Sequence, residues 1–281
     1  MSRLSLIYRT AFVTGAGSGL GRAFAEMLAG EGLAVWATAR DPSRLAPLRK
    51  AGRVTPVALE LAEPDAAVAA LRAAEQSAGT PIDLLVNNAG YGIFGEFGEI
   101  GAEEWSAQVS RMLGTSLRLC HAAWTAWSAE QAGGGRGRPR GLVNVSSLAV
   151  DFPLPFMSGY NAAKAGLSAL SESLLQEGRR RRFRVIDFRP GDYRTGFNRA
   201  MRLGKGPAGP LAPVWAALER HLEGAPPPER AAADLRRALL AGRSGTVRSG
   251  GFFQARLAPL LTRFSPQAWQ RAVSARYFGV R

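Results

Sequence analysis

Residues 14–21, Thr-Gly-Ala-Gly-Ser-Gly-Leu-Gly, decide the fold, because they lie directly between a short apolar run and an amphipathic one. The run before them, residues 9–13, is rich in β-forming side chains and predicts a strand. After them Leu20, Phe24 and Leu28 recur at helical spacing, which predicts a helix. Glycines at such a junction permit a tight turn and the close approach of a pyrophosphate, which the free N–H groups of a helix N-terminus attract. The stretch therefore predicts a dinucleotide site in an α/β fold.

A second chemical pattern lies further along, where Tyr160 and Lys164 stand four residues apart and Ser147 precedes them. On a helix that spacing places the phenol and the ammonium on one face, one turn apart. A free tyrosine has a pKa near 10, and lowering it toward 7 requires about 3 units, or ~4 kcal/mol, of phenolate stabilisation. An ammonium roughly 4 Å away supplies about that much at an effective dielectric of ~20. The pattern favours proton transfer to or from a carbonyl or alcohol oxygen held by the Ser147 hydroxyl.

Two further motifs follow in order: Asn-Asn-Ala-Gly at residues 87–90, and Pro-Gly at residues 190–191 with Thr195 beyond. Together with the glycine stretch and the Tyr–Lys pair, they resemble the short-chain dehydrogenase/reductase family over roughly residues 8–200. The resemblance implies a doubly wound, Rossmann-like three-layer α/β sandwich around a central, mostly parallel sheet of about seven strands. It also implies hydride transfer between C4 of a nicotinamide cofactor and the carbon of a carbonyl or secondary alcohol.

The same resemblance assigns roles to individual residues. Ser147 would position the substrate oxygen, Tyr160 would exchange the proton, and Lys164 would lower the pKa of Tyr160 and bind the nicotinamide ribose. The implied cofactor-binding residues come from the glycine turn, the ends of later strands and the catalytic helix: Gly15, Ser18, Gly19, Leu20, Gly21, Arg40, Glu60, Leu61, Asn87, Ala89, Gly90, Tyr160, Lys164, Pro190, Gly191 and Thr195.

The end of the second predicted strand bears on which cofactor is bound. NAD-specific sites place an acidic residue there against the ribose 2′-hydroxyl, whereas this chain has Ala39 followed by Arg40. A guanidinium at this place would pair with the 2′-phosphate of NADP. Asp41 offers two other roles, folding back onto the ribose or capping a helix that begins near Pro42. NADP is therefore the expected cofactor, and NAD is less favoured.

Two positions depart from the family pattern. Glu60 stands before Leu61 where relatives usually have an aspartate that touches adenine, so a longer side chain would make that contact. Met112 stands where relatives carry an asparagine that holds a water in the proton relay, and a thioether is only a weak acceptor. Two interpretations stay open: a working site with altered proton resupply, or an NADP-sensing regulator without turnover. The intact catalytic residues favour the first.

The chain is expected to form one domain over residues 1–281, with cofactor binding and catalysis in 8–200 and a substrate lid with C-terminal helices in 201–281. A helix is predicted over residues 102–132, broken at Gly114, and a tail helix with Ser265 as its N-cap. The tail helix is expected to dock on the protein's own core or on a partner subunit, with membrane-surface contact less favoured. The substrate is expected to be hydrophobic because of nearby aromatic residues: Phe94, Phe152, Phe156, Tyr193 and Phe197.

Composition narrows the remaining functional classes. The net charge is +14, but no recognition helix accompanies it, which indicates a solvated basic surface rather than a nucleic-acid site. The single cysteine, Cys120, excludes an intramolecular disulfide and a cysteine-based metal site. No signal-like segment and no long apolar run is present, so a cytoplasmic protein is expected, as a homodimer or homotetramer by the family resemblance.

Overall fold

The computed structural model describes residues 4–49, 52–134, 138–262 and 265–280. Its strands are Thr10–Val13 (β1), Ala34–Ala39 (β2), Val54–Ala58 (β3), Leu84–Asn87 (β4), Ile93–Phe94 (β5), Arg140–Val145 (β6), Phe183–Pro190 (β7), Arg202–Leu203 (β8) and Gly245–Ser249 (β9). Seven of them pair in parallel in the order β3-β2-β1-β4-β6-β7-β9. The predicted doubly wound sheet of seven strands is therefore confirmed, and every pairing in it is parallel.

Helices cover both faces of this sheet. They are Gly19–Gly30 (α1), Ala46–Arg49 (α2), Pro64–Ala78 (α3), Ala102–Val109 (α4), Thr115–Ala132 (α5), Ser158–Arg181 (α6), Leu211–Glu223 (α7), Pro228–Leu240 (α8), Ala258–Thr262 (α9) and Gln267–Phe278 (α10). Strand alternation divides the core, because successive side chains point to opposite faces. Ala11 and Val13 pack with α1 and α8, whereas Phe12 packs with α3 and α5.

The long helix predicted over residues 102–132 forms, but it does not break at Gly114. Between α4 and α5, residues Ser110–Gly114 form a π-helical turn in which Gly114 keeps helical angles (φ −60°, ψ −48°). The prediction of a break was wrong because glycine tolerates the wider turn without leaving the helical region. Such turns often occur at functional sites, and this one contains Met112.

Two further differences concern the chain beyond β7. The tail helix α10 has Pro266 as its N-cap rather than Ser265, because Pro266 has extended backbone angles (φ −57°, ψ 143°) and the helix begins at Gln267. A small parallel sheet, not anticipated from the sequence, pairs β5 with β8 and fixes the segment after β7 beside the loop after β4.

Among the described residues, no helix combines the length and apolarity needed to span a bilayer.

Candidate active site

The candidate site lies at the carboxyl edge of the sheet, where β1 and β4 are neighbours. From β1 the chain continues to β2 on one side, whereas from β4 it continues toward β6 on the other, so a crevice opens between them. A cleft of about 1090 Å³ occupies this place. The structure brings almost all the predicted site residues into its lining: Gly15, Ser18, Gly19, Leu20, Gly21, Arg40, Glu60, Leu61, Ala89, Gly90, Ser147, Tyr160, Lys164, Pro190, Gly191 and Thr195.

The glycine turn between β1 and α1 is a cradle that side chains would fill. Gly15 and Gly19 have positive φ angles of 68° and 54°, where L-residues are strained. A Cβ on Gly15 would come within 2.7 Å of Ala89 Cα, and one on Gly21 would overlap the Gly15 carbonyl oxygen. A Cβ on Gly19 would lie 3.3 Å from Thr195 across the cleft. The glycines thus permit both the packing of this turn and the approach of a ligand.

Electrostatics at the start of α1 suit an anion. Ser18 is the N-cap residue but makes no side-chain capping bond, and the first turn contains no acidic residue. The N–H groups there point outward with the positive end of the helix dipole. Together, the cradle and this helix terminus fit the pyrophosphate of a dinucleotide.

At the adenosine end of the cleft, Asp41 caps the turn that begins at Pro42, which is one of the two other roles expected for it. Its carboxylate accepts hydrogen bonds from the Ser43 backbone N–H (3.0 Å) and hydroxyl (2.6 Å), at the start of a 3₁₀ turn. Arg40 is exposed at the cleft, and Arg44, which the sequence reading missed, also lines it. Arg22 donates to the carbonyl oxygens of Gly17 and Arg44, both at 2.8 Å, and so ties this turn to the glycine cradle.

The catalytic candidates converge at the ends of β6 and α6. Ser147 follows β6 and caps a short turn, its Oγ accepting from the Ala149 N–H at 3.0 Å. Tyr160 lies on α6 near Ser147, whose side chain lowers the pKa of the phenol. Lys164 lies one turn after Tyr160 on α6, with Nζ 5.7 Å from the phenol ring centroid, and it donates to the Val145 carbonyl oxygen at 2.6 Å. The three side chains are buried in one place.

Burial dominates the proton affinities of this group. Desolvation raises the pKa of Tyr160 to about 12, while the Ser147 hydrogen bond lowers this pKa and the charge of Asp192 raises it. Desolvation lowers the pKa of Lys164 to about 8, and the carboxylate of Asp187 opposes this fall. The sequence predicts that the Lys164 ammonium alone sets the pKa of Tyr160. In the structure, desolvation has the largest effect on the pKa of both groups, and a local sequence pattern does not include it.

Asp187 is a supporting residue that the sequence reading treated only as part of a strand. Its side chain is completely buried and accepts hydrogen bonds from Ser146, from Ser168 Oγ (2.7 Å) and from Arg189 Nε (2.8 Å). A carboxylate within an otherwise β-rich apolar run was the signal that could have identified it. Its negative charge raises the pKa of Lys164 and so stabilises the ammonium form.

Asn87 does not belong to the cleft, which corrects the prediction that it faces the cofactor. As the last residue of β4 it points into the interior, where Nδ2 donates to Asn144 Oδ1 (2.9 Å) and contacts Cys120 Sγ (3.2 Å). The next residue, Asn88, lines the cleft because side chains alternate along the strand. Its Nδ2 donates to the Thr14 carbonyl oxygen at 3.0 Å and so joins the ends of β1 and β4.

With this geometry in place, comparison with known proteins decides the family. The profile described as short chain dehydrogenase matches residues 9–206. The chain belongs to this family. It is 30% identical to a 3-ketodihydrosphingosine reductase of Bacteroides thetaiotaomicron over 66% of this chain and 64% of that protein. It is 37% identical to an uncharacterized oxidoreductase of Myxococcus xanthus, over 66% of this chain and 72% of that one.

Solved structures of short-chain dehydrogenases share the fold over nearly the whole chain. A Streptomyces avermitilis short-chain dehydrogenase is 26% identical with a TM-score of 0.77, over 95% of this chain and 97% of that one. A Burkholderia phymatum member in complex with NAD has 26% identity and a TM-score of 0.72, over 91% of each chain. A metagenomic member in complex with NADP has 28% identity and a TM-score of 0.64, over 87% and 93%. Both nicotinamide cofactors therefore occur among similar structures.

Met112, where the family resemblance predicts an asparagine, lies beside Lys164. It is buried in the π-helical turn, in an apolar cluster that includes Tyr160 and Ala163. A Cβ on Gly90 would come within 3.1 Å of Met112 Cε and 3.6 Å of Lys164 Nζ. An apolar side chain thus occupies the space on this side of the lysine.

Several apolar side chains line the cleft near Tyr160. Phe152, Met157 and Phe197 line it, and the Phe197 ring lies 5.7 Å from that of Tyr160. Phe94 and Phe156, expected near the substrate, pack behind this wall rather than in it. Tyr193, also expected there, borders the cleft, but it is nearly buried and its hydroxyl bonds to Ser249.

The C-terminal residues close this side of the cleft. Gln254 accepts from the Asp192 N–H (3.4 Å), and its Nε2 contacts Asp192 Oδ2 (2.6 Å) and the Tyr277 hydroxyl (2.9 Å). A Cβ on Gly191 would lie 2.9 Å from Gln254 Oε1, so the segment is held directly against the Pro-Gly turn. Nothing local in the sequence identified Gln254, because it acts through residues over sixty positions away in the chain.

The proton affinity of Lys164 can be measured directly, because the chain has only two other lysines, Lys50 and Lys205. In protein labelled with ¹³C at lysine Cε, we expect Lys164 to titrate with a pKa of about 8. Asp187→Asn should lower this pKa further, since the stabilising carboxylate charge is lost.

Ser168→Ala is the matched control, because it removes one hydrogen bond to Asp187 and keeps the charge. The Lys205 resonance provides an internal reference, because Glu99 holds the pKa of that surface ammonium above its usual value. A Lys164 pKa near the ordinary ~10.4, or one unaffected by Asp187→Asn, would contradict the assignment.

Proposed function

We propose that this short-chain dehydrogenase is an NADP-dependent oxidoreductase that transfers a hydride between the nicotinamide and a hydrophobic carbonyl or secondary alcohol. One observation carries the proposal: the buried Ser147–Tyr160 hydroxyl pair and Lys164 share a single cleft with the glycine cradle. A proton donor and a dinucleotide site within one cleft are what reduction of a carbonyl requires.

The residues divide the work in a definite way. When bound, the nicotinamide supplies or accepts the hydride. In the reducing direction, Ser147 donates a hydrogen bond to the carbonyl oxygen, and Tyr160 transfers its proton to that oxygen as the C=O bond becomes a C–O bond. The phenolate that remains is stabilised by the Lys164 ammonium and by the Ser147 hydroxyl. A phenol with a pKa of about 12 holds its proton at neutral pH but is a weak acid, so the transfer depends on the stabilisation of the phenolate by Lys164 and Ser147.

The preference for NADP rests on charge at the adenosine end. Arg40 and Arg44 line the cleft there, while the nearby carboxylate of Asp41 is engaged with Ser43. Two guanidinium groups attract a 2′-phosphate. The Asp41 carboxylate accepts hydrogen bonds from Ser43 and is therefore not directed at that phosphate. Glu60 lines the cleft, and its carboxylate accepts from the Ala62 N–H at 3.3 Å.

The apolar wall around Phe152, Met157 and Phe197 supports a hydrophobic substrate. The Bacteroides relative is named as a 3-ketodihydrosphingosine reductase, and reduction of a keto compound fits the same chemistry. Residues 8–200 then hold the cofactor and perform the reaction, while residues 201–281 of the same domain cover the substrate. Assembly as a homodimer or homotetramer is part of the proposal.

A second candidate, an NADP-sensing regulator without turnover, is favoured by one observation. Met112 places an apolar side chain beside Lys164, where the family resemblance predicts an asparagine. Without a polar relay, resupply of the proton to Tyr160 would be slow.

Tyr160→Phe separates the two candidates. We expect turnover of apolar ketones to fall by about 10²–10⁴-fold, because the proton donor is lost, while NADPH binding measured by fluorescence stays unchanged. Tyr91→Phe is the matched control, since Tyr91 also lines the cleft. Tight NADPH binding with no turnover in the native protein, on any of a panel of ketones and aldehydes, would favour the regulator instead.

The pH dependence of reduction should follow Lys164. Its pKa of about 8 means that the ammonium is present below that pH and lost above it. We therefore expect ketone reduction to be level through neutral pH and to fall as pH rises through about 8. Steady-state rates at saturating NADPH measure this. A rate that rises across the same range would contradict the role given to Lys164.

Arg40→Ala and Arg44→Ala test the cofactor preference. Each should raise the Michaelis constant for NADPH by about tenfold and leave that for NADH nearly unchanged, because only NADPH carries the 2′-phosphate. Arg180→Ala, an exposed arginine near the end of α6, is the control. Equal effects on the two cofactors would remove the inference.

A further inference from the structure

The last 32 residues of the chain, from Gly250 onward, have an unusual charge pattern. They contain five arginines and no aspartate or glutamate. Of these arginines, Arg256, Arg271 and Arg276 are exposed in the structure. Within the part of the chain that the structure describes, none of these three forms an ion pair with a carboxylate. The segment therefore presents uncompensated positive charge.

The same segment exposes most of the large apolar side chains on the described surface. Eight of the twelve such residues lie here, so the exposure is concentrated rather than scattered. Phe252 is 74% exposed and Trp269 is 53% exposed. We use the name C-terminal face for the exposed apolar residues and arginines of this segment: Phe252, Phe253, Arg256, Leu257, Leu260, Trp269, Arg271, Val273, Arg276, Tyr277 and Val280.

Part of the C-terminal face borders the cleft. Phe253, Trp269, Val273 and Tyr277 belong both to the face and to the cleft lining. Apolar surface thus runs from the outside of the protein toward the catalytic group. Exposed apolar area of this extent, next to a binding cleft, indicates a contact surface.

We propose that the C-terminal face docks on the surface of an anionic phospholipid bilayer. Aromatic and aliphatic side chains enter the boundary between headgroups and acyl chains, and arginines pair with lipid phosphates. Because none of the described helices can span a bilayer, the contact is interfacial. The opening of the cleft then faces the lipid.

Charge decides between a bilayer and a second copy of this chain. A two-fold interface brings the same surface of both copies together, and here it would place arginines against arginines with no carboxylate on the face to compensate them. An anionic bilayer supplies the missing negative charge. The proposal is independent of the reaction catalysed, because it concerns the surface alone.

Co-sedimentation of the full chain with vesicles tests the proposal. We expect the partition coefficient to be at least about tenfold higher on phosphatidylcholine vesicles containing phosphatidylserine than on phosphatidylcholine alone, and to fall as salt is added. The double variant Arg256→Glu/Arg276→Glu should lose at least about tenfold of the binding. Phe252→Ser/Leu260→Ser should also weaken it, because exposed apolar groups no longer enter the bilayer.

Two controls match these changes at the opposite edge of the sheet. Arg179→Glu/Arg180→Glu makes the same change in net charge at the far end of α6, a 24-residue helix about 36 Å long. Leu6→Ser removes an apolar side chain that is 65% exposed. Both should bind vesicles like the native chain, and circular dichroism should show that all variants keep the native Tm.

Several results would overturn the proposal. One is equal binding to neutral and anionic vesicles, and another is an equal loss of binding in the control variants, which would indicate nonspecific attraction by net charge. A third is absence of vesicle binding together with a dimer that Phe252→Ser dissociates in analytical ultracentrifugation. That result would assign the face to a second copy of the chain.

Discussion

The structure depends on the close approach of the turn after β1 to the residues after β4. A Cβ on Gly15 would come within 2.7 Å of Ala89 Cα, and Asn88 bonds to the Thr14 carbonyl oxygen across the same junction. Glycine is required here because a side chain would separate the two strand ends. Since the cofactor site lies at the point where these strands diverge, this contact sets the width of the cleft.

A second constraint is burial of charge beneath the cleft. Lys164 is nearly inaccessible to solvent, and burial disfavours its ammonium form. The carboxylate of Asp187 compensates in part, and Asp187 is itself held by two serines and Arg189. The protonation state of Lys164 therefore depends in part on Asp187, Ser168 and Arg189, which do not line the cleft. Buried pairs of this kind perturb proton affinities far more than exposed pairs do.

Residues of the C-terminal segment both line the cleft and lie exposed on the surface. Gln254 and Tyr277 close over the Pro-Gly turn, while Phe252 and Trp269 nearby remain exposed. One short segment thus borders the candidate active site and carries eight of the twelve large apolar side chains exposed on the described surface. The family profile ends at residue 206, before this segment, whereas solved structures of the family share the fold over nearly the whole chain.

Local patterns in the sequence located the glycine turn, the helix after it and the Tyr160–Lys164 pair, because turns and one-turn helical spacing depend on neighbouring residues alone. The family resemblance of the motifs supplied the parallel sheet of about seven strands and nearly all of the cleft residues. The order of the strands and the contacts between distant segments were visible only in the folded chain. Asn87 points into the interior and Asn88 toward the cleft, because side chains alternate at the end of β4. Gly114 keeps helical angles because it lies in a π-helical turn that continues the helix. Contacts between distant segments place three further residues at or near the site: Arg44, Asp187 and Gln254. Burial raises the pKa of Tyr160, and no local sequence pattern predicts that burial.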